Sequence, residues 1–177
     1  MTIEVKFENH GTQLTGVVRR PGGDGPHPAV AFVDGSGPAE RDSFDEEADV
    51  LSRAGFASLA CDKPGCGGDW RDQSLQDRAA EALAAVDCLA GQDGVDPGRI
   101  ALLGASQGGW VGPLAASMSA TVAAVISLSG SGVSPCMRRR RTGSSTCCGT
   151  PAWPRTRSPR PWPSSTGGRP GCAAATT

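Results

Sequence analysis

The sequence predicts an α/β domain with a mainly parallel sheet and helices on both faces. Three observations carry that expectation. Short apolar runs at 29–33, 56–61 and 99–103 read as strands buried on both faces. The segments between them show helical spacing, and strand–helix alternation implies right-handed crossovers between parallel strands. Ser36, Asp62 and Ser106 each fall just past a strand end, and ligands bind such sheets on that edge.

The elements follow in order. Residues 3–9 and 13–19 read as two strands joined by the tight turn His10-Gly-Thr. Residues 21–26, Pro-Gly-Gly-Asp-Gly-Pro, form a loop, and 29–33 is the first buried strand. A helix is expected to begin at Ser43, with Glu46 completing a capping box, and to end at Gly55. After strand 56–61 comes the turn-rich Asp62-Lys-Pro-Gly-Cys-Gly-Gly. Ser74 with Asp77 caps a second helix, in which Leu75, Ala79, Leu83, Val86 and Ala90 recur at helical spacing. Asp96-Pro-Gly is expected to turn into the next strand. A third helix should run from Gln107 to about Ser119 with a kink at Pro113. The last convincing strand is 121–128.

The run Gly-Ala-Ser-Gln-Gly-Gly at 104–109 fits the G-x-S-x-G nucleophile elbow, a sharp strand-to-helix turn that lifts a serine hydroxyl out of the sheet. Ser106 must there adopt a sparsely populated backbone conformation. Gly104 and Gly108 remove side chains that would collide as strand and helix cross. Gln107 opens the helix, so its N–H points towards an anion held in front of Ser106. A serine hydroxyl needs an adjacent base, normally a histidine oriented by a carboxylate. After Ser106 the sequence holds no Asp, Glu, Lys or His, and its two histidines, His10 and His27, lie upstream.

Composition divides the chain in two. All 18 acidic residues lie between Glu4 and Asp96. Residues 135–177 contain eight Arg, including Arg138 to Arg141, and no acid; they also lack Leu, Ile, Val and Phe. Such a segment cannot supply a packed core, and we expect an unstructured tail there, with the domain confined to 1–134. The start of the sequence shows no signal-peptide pattern, and no apolar run approaches the roughly 20 residues of a membrane helix. Cytoplasmic localisation is therefore expected. Cys61, Cys66 and Cys88 fit neither a zinc site nor a C-x-x-C pair, and free buried thiols are expected. No metal and no cofactor are implied.

Three segments together resemble the α/β-hydrolase superfamily, in particular its dienelactone-hydrolase, prolyl-oligopeptidase-like and acyl-CoA thioester hydrolase-like branch. They are Ala31-Phe-Val-Asp-Gly-Ser-Gly-Pro-Ala-Glu-Arg-Asp, Ala60-Cys-Asp-Lys-Pro-Gly-Cys-Gly, and the elbow from Gly104 to Trp110. The resemblance covers residues from about 3 to 134. It implies a partial α/β-hydrolase fold with about six of the usual eight strands. It also implies Ser106 as nucleophile, and an oxyanion hole from the N–H groups of Gln107 and of Ser36, or of Gly37 instead. Asp34 stands where the branch usually carries His, and a carboxylate there must be turned away or paired. Asp62 reads as a structural turn residue.

In that superfamily the acid and then the histidine follow the serine, so both are absent here. A shifted reading frame near residues 135–138 is the leading expectation for the tail; a genuine basic tail and a fragment of a longer protein are the alternatives. The function implied is hydrolysis of an ester, thioester, lactone or small amide through an acyl-Ser106 intermediate, with the chain as written inactive. A non-catalytic fragment is the alternative. A nucleic-acid binder using the Arg-rich tail is a third, set aside because no RNA-binding module pattern accompanies it. The expected partner is a small acyl substrate, with no membrane.

Overall fold

The computed structural model describes residues 1–64 and 73–130, together with the backbone of Ala173–Ala174. These belong to one compact unit; a second unit, 132–170, lies outside the described residues, as does the expected boundary at 134/135. Cys66 also lies outside them.

Strands β1 (Thr2–Asn9), β2 (Thr12–Arg19), β3 (His27–Val33), β4 (Ala57–Cys61), β5 (Val95–Ala105), β6 (Ala124–Leu128) and β7 (Ala173–Ala174) form one sheet in the order β6-β5-β3-β4-β2-β1-β7. The four strands β6, β5, β3 and β4 are parallel, and β2 and β1 extend the sheet antiparallel from β4. Helices α1 (Asp45–Arg53), α2 (Leu75–Ala90) and α3 (Gly108–Met118) complete the described elements. This is the α/β-hydrolase arrangement that the sequence implied.

Side chains alternate across the sheet because strand residues point to opposite faces. Ala29, Ala31 and Val33 of β3 join Leu59, Ile100 and Leu102 beneath α2 and α3. Val30 and Phe32 point the other way, where Phe44 and Ala48 beside and within α1 cover them. Phe32 and Phe44 stack with ring centroids 4.5 Å apart. The two helical layers thus bury both faces of the central strands.

Several local expectations are corrected. Helix α1 starts at Asp45, and its N-cap Phe44 makes no side-chain capping bond. The Ser43 hydroxyl instead accepts the Glu40 N–H at 3.2 Å, in the turn preceding the helix. Asp45, Glu46 and Glu47 crowd the first turn, where negative charge suits the helix dipole. Ser74 does form the expected reciprocal box with Asp77. Asp96-Pro-Gly lies inside β5 as a local irregularity, with Asp96 accepting the Gly98 N–H at 2.9 Å. The last parallel strand begins at Ala124 rather than Thr121. Cys61 is a free thiol, whereas Cys88 is disulfide-bonded, against the expectation of free thiols.

Helix α3 runs continuously through Pro113. Proline there withholds an N–H from the carbonyl four residues earlier, that of Gly109. Ser127 on β6 donates its hydroxyl to that carbonyl at 3.3 Å. The tail is not wholly without structure: Ala173 and Ala174 pair with Lys6 and Val5 on the free edge of β1. The rest of 135–177 lies outside the described residues.

Ser74→Ala should lower the stability of the chain by about 1 kcal/mol, read from urea unfolding. Ser43→Ala, whose hydroxyl caps no helix, should cost clearly less.

Candidate active site

Ser106 sits between β5 and α3 with φ at +53°, a left-handed conformation that costs a non-glycine residue strain. Its N–H donates to the Leu128 carbonyl at 2.8 Å, which ties the turn to the end of β6. Backbone packing enforces the turn. A Cβ on Gly104 would overlap the Gly108 carbonyl, and a Cβ on Gly108 would overlap the Val33 carbonyl. Helix α3 can therefore sit this close to β5 and β3 only with hydrogen at both positions.

Beyond the end of β3 lie Asp34, Gly35, Ser36 and Gly37. Gly35 faces the serine: a Cβ built there would lie 3.5 Å from Ser106 Cβ and 3.9 Å from its Oγ. The structure thus brings the loop and Ser106 together at the carboxyl edge of the parallel strands. Among the described residues, the N–H groups of Gln107 and Ser36 have no hydrogen-bond acceptor.

The loop is clamped to the turn after β4. Lys63, only 3% exposed, donates its ammonium to the Gly35 carbonyl at 2.7 Å and the Gly37 carbonyl at 2.9 Å. Its own N–H donates to Ala39 O at 3.0 Å. Asp62 accepts the N–H and Nε of Arg41, each at 3.0 Å, and pairs with Arg41 Nη2 at 2.7 Å. Glu4 takes the remaining side of that guanidinium at 2.7 Å. Asp62 is a turn-holding residue here, as its sequence context suggested. Sequence reasoning missed Lys63, because a lysine in a Gly/Pro-rich turn reads as solvated, and the two carbonyls it binds leave no trace in the sequence.

Asp34 is buried, only 8% exposed. It lines a cavity of about 30 Å³ with Lys63, Arg78, Glu81 and Cys61, which has room for a water molecule. Arg78, 6% exposed, pairs with Glu81, and Gln73 donates to Glu81 at 2.6 Å. Burial pushes the Asp34 carboxyl up to about 6, against the pull of Arg78 and Lys63. Burial also raises Glu81, and it pushes the Cys61 thiol up to about 12, which leaves that thiol protonated and inert. A polar cleft of about 590 Å³ between Gln13, Glu40, Arg41 and Lys63 does not reach Ser106.

The two histidines are elsewhere. His27 opens β3 at the amino edge, about 20 Å of strand from the elbow. His10 lies in the β1–β2 turn, three to four strand spacings from β5, or about 14–19 Å. Neither is within hydrogen-bond reach of Ser106.

With this geometry in place, the comparisons with known proteins decide the family. Residues 2–137 match the family described as esterase FrsA-like. The chain belongs to that family. It is 35% identical over 114 residues to 2,6-dihydropseudooxynicotine hydrolase of Paenarthrobacter nicotinovorans, covering 64% of this chain and 31% of the relative. It is 41% identical over 87 residues to an uncharacterised protein of Mycobacterium tuberculosis, covering 49% and 30%. The chain therefore spans about a third of the length of these relatives. Among solved structures, a dienelactone hydrolase from Anabaena variabilis superposes with a TM-score of 0.62 at 26% identity, covering 73% of this chain and 63% of that one. A fungal α/β-hydrolase from Penicillium matches with a TM-score of 0.66 at 24% identity, which speaks for the fold. The esterase-family chain is thus a dienelactone-hydrolase-like α/β-hydrolase. Among its described residues no helix is long and apolar enough to cross a membrane.

Gly108→Ala should cost about 1–3 kcal/mol or more, because backbone must move to admit the methyl. Gly37→Ala, with open space around it, should cost well under that; chemical denaturation of both variants checks the contrast.

The Asp34 carboxyl binds its proton more tightly in the native chain than at its ordinary value of 3.8. It therefore withdraws stability as pH rises from about 4 to 6. The stability of Asp34→Asn relative to the unsubstituted chain should rise across that window, by up to about 3 kcal/mol. A flat difference between pH 4 and 7 would refute the buried-acid assignment.

Proposed function

We propose that Ser106 is the nucleophile of an acyl-ester hydrolase site. Its Oγ attacks the carbonyl carbon of an ester, thioester, lactone or small amide. The N–H groups of Gln107 and Ser36, with Gly37 as alternative to Ser36, receive the oxyanion. Collapse of the tetrahedral species expels the alcohol, thiol or amine and leaves acyl-Ser106, which water hydrolyses. The observation that carries this reading is the left-handed Ser106 at a strand-to-helix turn, with glycine required on both sides by backbone contact. The hydrolase relatives support the reaction class.

The proton that leaves Ser106 needs an acceptor. This chain offers no Asp, Glu, Lys or His after Ser106, and its two histidines are too far away. Among the described residues neither histidine reaches Ser106, so turnover of the chain as written is expected to be slight. Losing the triad leaves the contribution of binding and oxyanion stabilisation alone. A second reading, a non-catalytic fragment, draws on the exposed apolar residues Ile126 and Leu128 of edge strand β6, each 43% exposed.

A fluorophosphonate probe and 4-nitrophenyl acetate test the assignment. Slow phosphonylation at Ser106, lost in Ser106→Ala, is expected, with acetate hydrolysis close to that of the Ser106→Ala control. Equal labelling of both chains would place the nucleophile elsewhere. Rapid turnover would mean that an upstream group serves as base.

A further inference from the structure

We infer that Lys63 is a positioning residue for the oxyanion hole, acting through the peptide that joins Gly35 to Ser36. The inference rests on the proposed role of Ser106 and of the Ser36 N–H. Its ground is geometric. The buried Lys63 ammonium donates to Gly35 O at 2.7 Å and to Gly37 O at 2.9 Å. A trans peptide is planar, and its C=O and N–H point in opposite directions. Drawing the Gly35 carbonyl inward therefore aims the Ser36 N–H outward. Ser106 does not line the cavity in which Lys63 and Asp34 sit, yet Gly35 lies against it. The Gly35 carbonyl thus points towards the buried ammonium, and the Ser36 N–H points away from it.

Two further observations support a built device rather than a chance contact. The second bond, to Gly37 O, holds the peptide that joins Gly37 to Pro38, so the loop is pinned on both sides of the Ser36–Gly37 peptide. Lys63 is also held from its own backbone, through its N–H to Ala39 O, while Asp62 beside it binds Arg41. The turn after β4 and the loop after β3 are thereby one assembly. A cation bonded to the carbonyl also polarises that peptide and strengthens its N–H as a donor. An oxyanion hole depends on donors fixed before the charge develops, so that no reorganisation is needed at the moment of attack. Asp34, inside the same cavity, offsets the buried positive charge.

The chemistry of the side chain fits the task. A hydroxyl in this position could hold one carbonyl; an ammonium has three protons and can hold two carbonyls and still meet a third partner. Methionine keeps the length and apolar stem and loses every donor. Arginine keeps charge and donors in a different geometry.

The test uses the full chain. For the unsubstituted protein, nuclear magnetic resonance should show Lys63 ammonium protons in slow exchange at neutral pH. It should also show couplings across the hydrogen bonds to the carbonyl carbons of Gly35 and Gly37. Fast-exchanging protons without either coupling would overturn the inference, whatever the reactivity of Ser106. In Lys63→Met the Gly35 carbonyl carbon and the Ser36 amide should both shift. Phosphonylation of Ser106 by the fluorophosphonate should slow about tenfold or more, in the maximal rate and not in half-saturation. Lys63→Arg should recover part of the rate. Unchanged Ser36 resonances and an unchanged rate in Lys63→Met would also overturn it. If the unsubstituted chain labels no more than Ser106→Ala, the reading of Ser106 fails, while the resonance measurements still decide how Lys63 holds the loop. A Lys63→Met chain that does not fold leaves those measurements on the unsubstituted protein as the deciding ones.

Discussion

Backbone touches backbone where β5, α3 and the end of β3 meet. Gly104 faces the Gly108 carbonyl and Gly108 faces the Val33 carbonyl with no space for a methyl group. These approaches set how near α3 can lie to the sheet. They set the direction in which the chain must turn after Ala105, and hence the left-handed backbone of Ser106. They also set the side of Ser106 on which the loop after β3 is found, because Val33 directly precedes Asp34. The strained turn costs of order 1–3 kcal/mol and persists because it is held from three sides. These are the paired register of β3 with β5, the Ser106 N–H bond to Leu128, and the burial of Val111 and Ala115 beneath α3.

Beneath the loop is a cluster that a small core would not be expected to tolerate. Asp34, Lys63 and Arg78 are each less than a tenth exposed, with Glu81 at their side. Removing such charges from water is costly, and mutual attraction seldom does more than offset that cost. Among the described residues Arg78 Nε and Gln73 Oε1 have no hydrogen-bond partner. The cluster is therefore weak as a source of stability and strong as a source of specificity. Two carbonyls of the loop are bound to a cation that cannot leave without exposing Asp34 to a still worse environment. An apolar core of the same volume would pack as well and leave the loop free to choose its own peptide orientation.

The parts of this molecule legible in the sequence are those decided locally. Ser74 and Asp77 are three residues apart and cap their helix as expected. The glycines of the elbow announce a turn that only hydrogen can fit. The alternating strands and helices give the parallel core. What escaped was decided at a distance. The Ser43 hydroxyl is taken by the turn from Glu40, so the helix starts two residues later. Asp34 reads as a misplaced carboxylate until Lys63 and Arg78, nearly 30 and more than 40 residues away, are seen in the same cavity. The role of Lys63 depends on carbonyls, which carry no sequence signal at all. The pairing of Ala173 and Ala174 with β1 follows from a free strand edge and not from the residues that fill it.

Strand β6 brings these points together. Parallel sheets are ordinarily covered on both faces, and α1 covers Leu103 on its side of the sheet. Ile126, paired with Leu103, and Leu128, paired with Ala105, continue that apolar face one strand further, yet each stays 43% exposed. The strand that receives the Ser106 N–H is thus the least covered of the parallel four. Its bond at Leu128 and the Ser127 hydroxyl on Gly109 hold the elbow from outside, just as Lys63 holds the loop from inside. Local opening follows the regions with fewest buried apolar contacts, so the outer support loosens before the inner one. The geometry of the Ser106 turn is then limited by the order of β6, while the loop after β3, anchored to the buried lysine, keeps its shape.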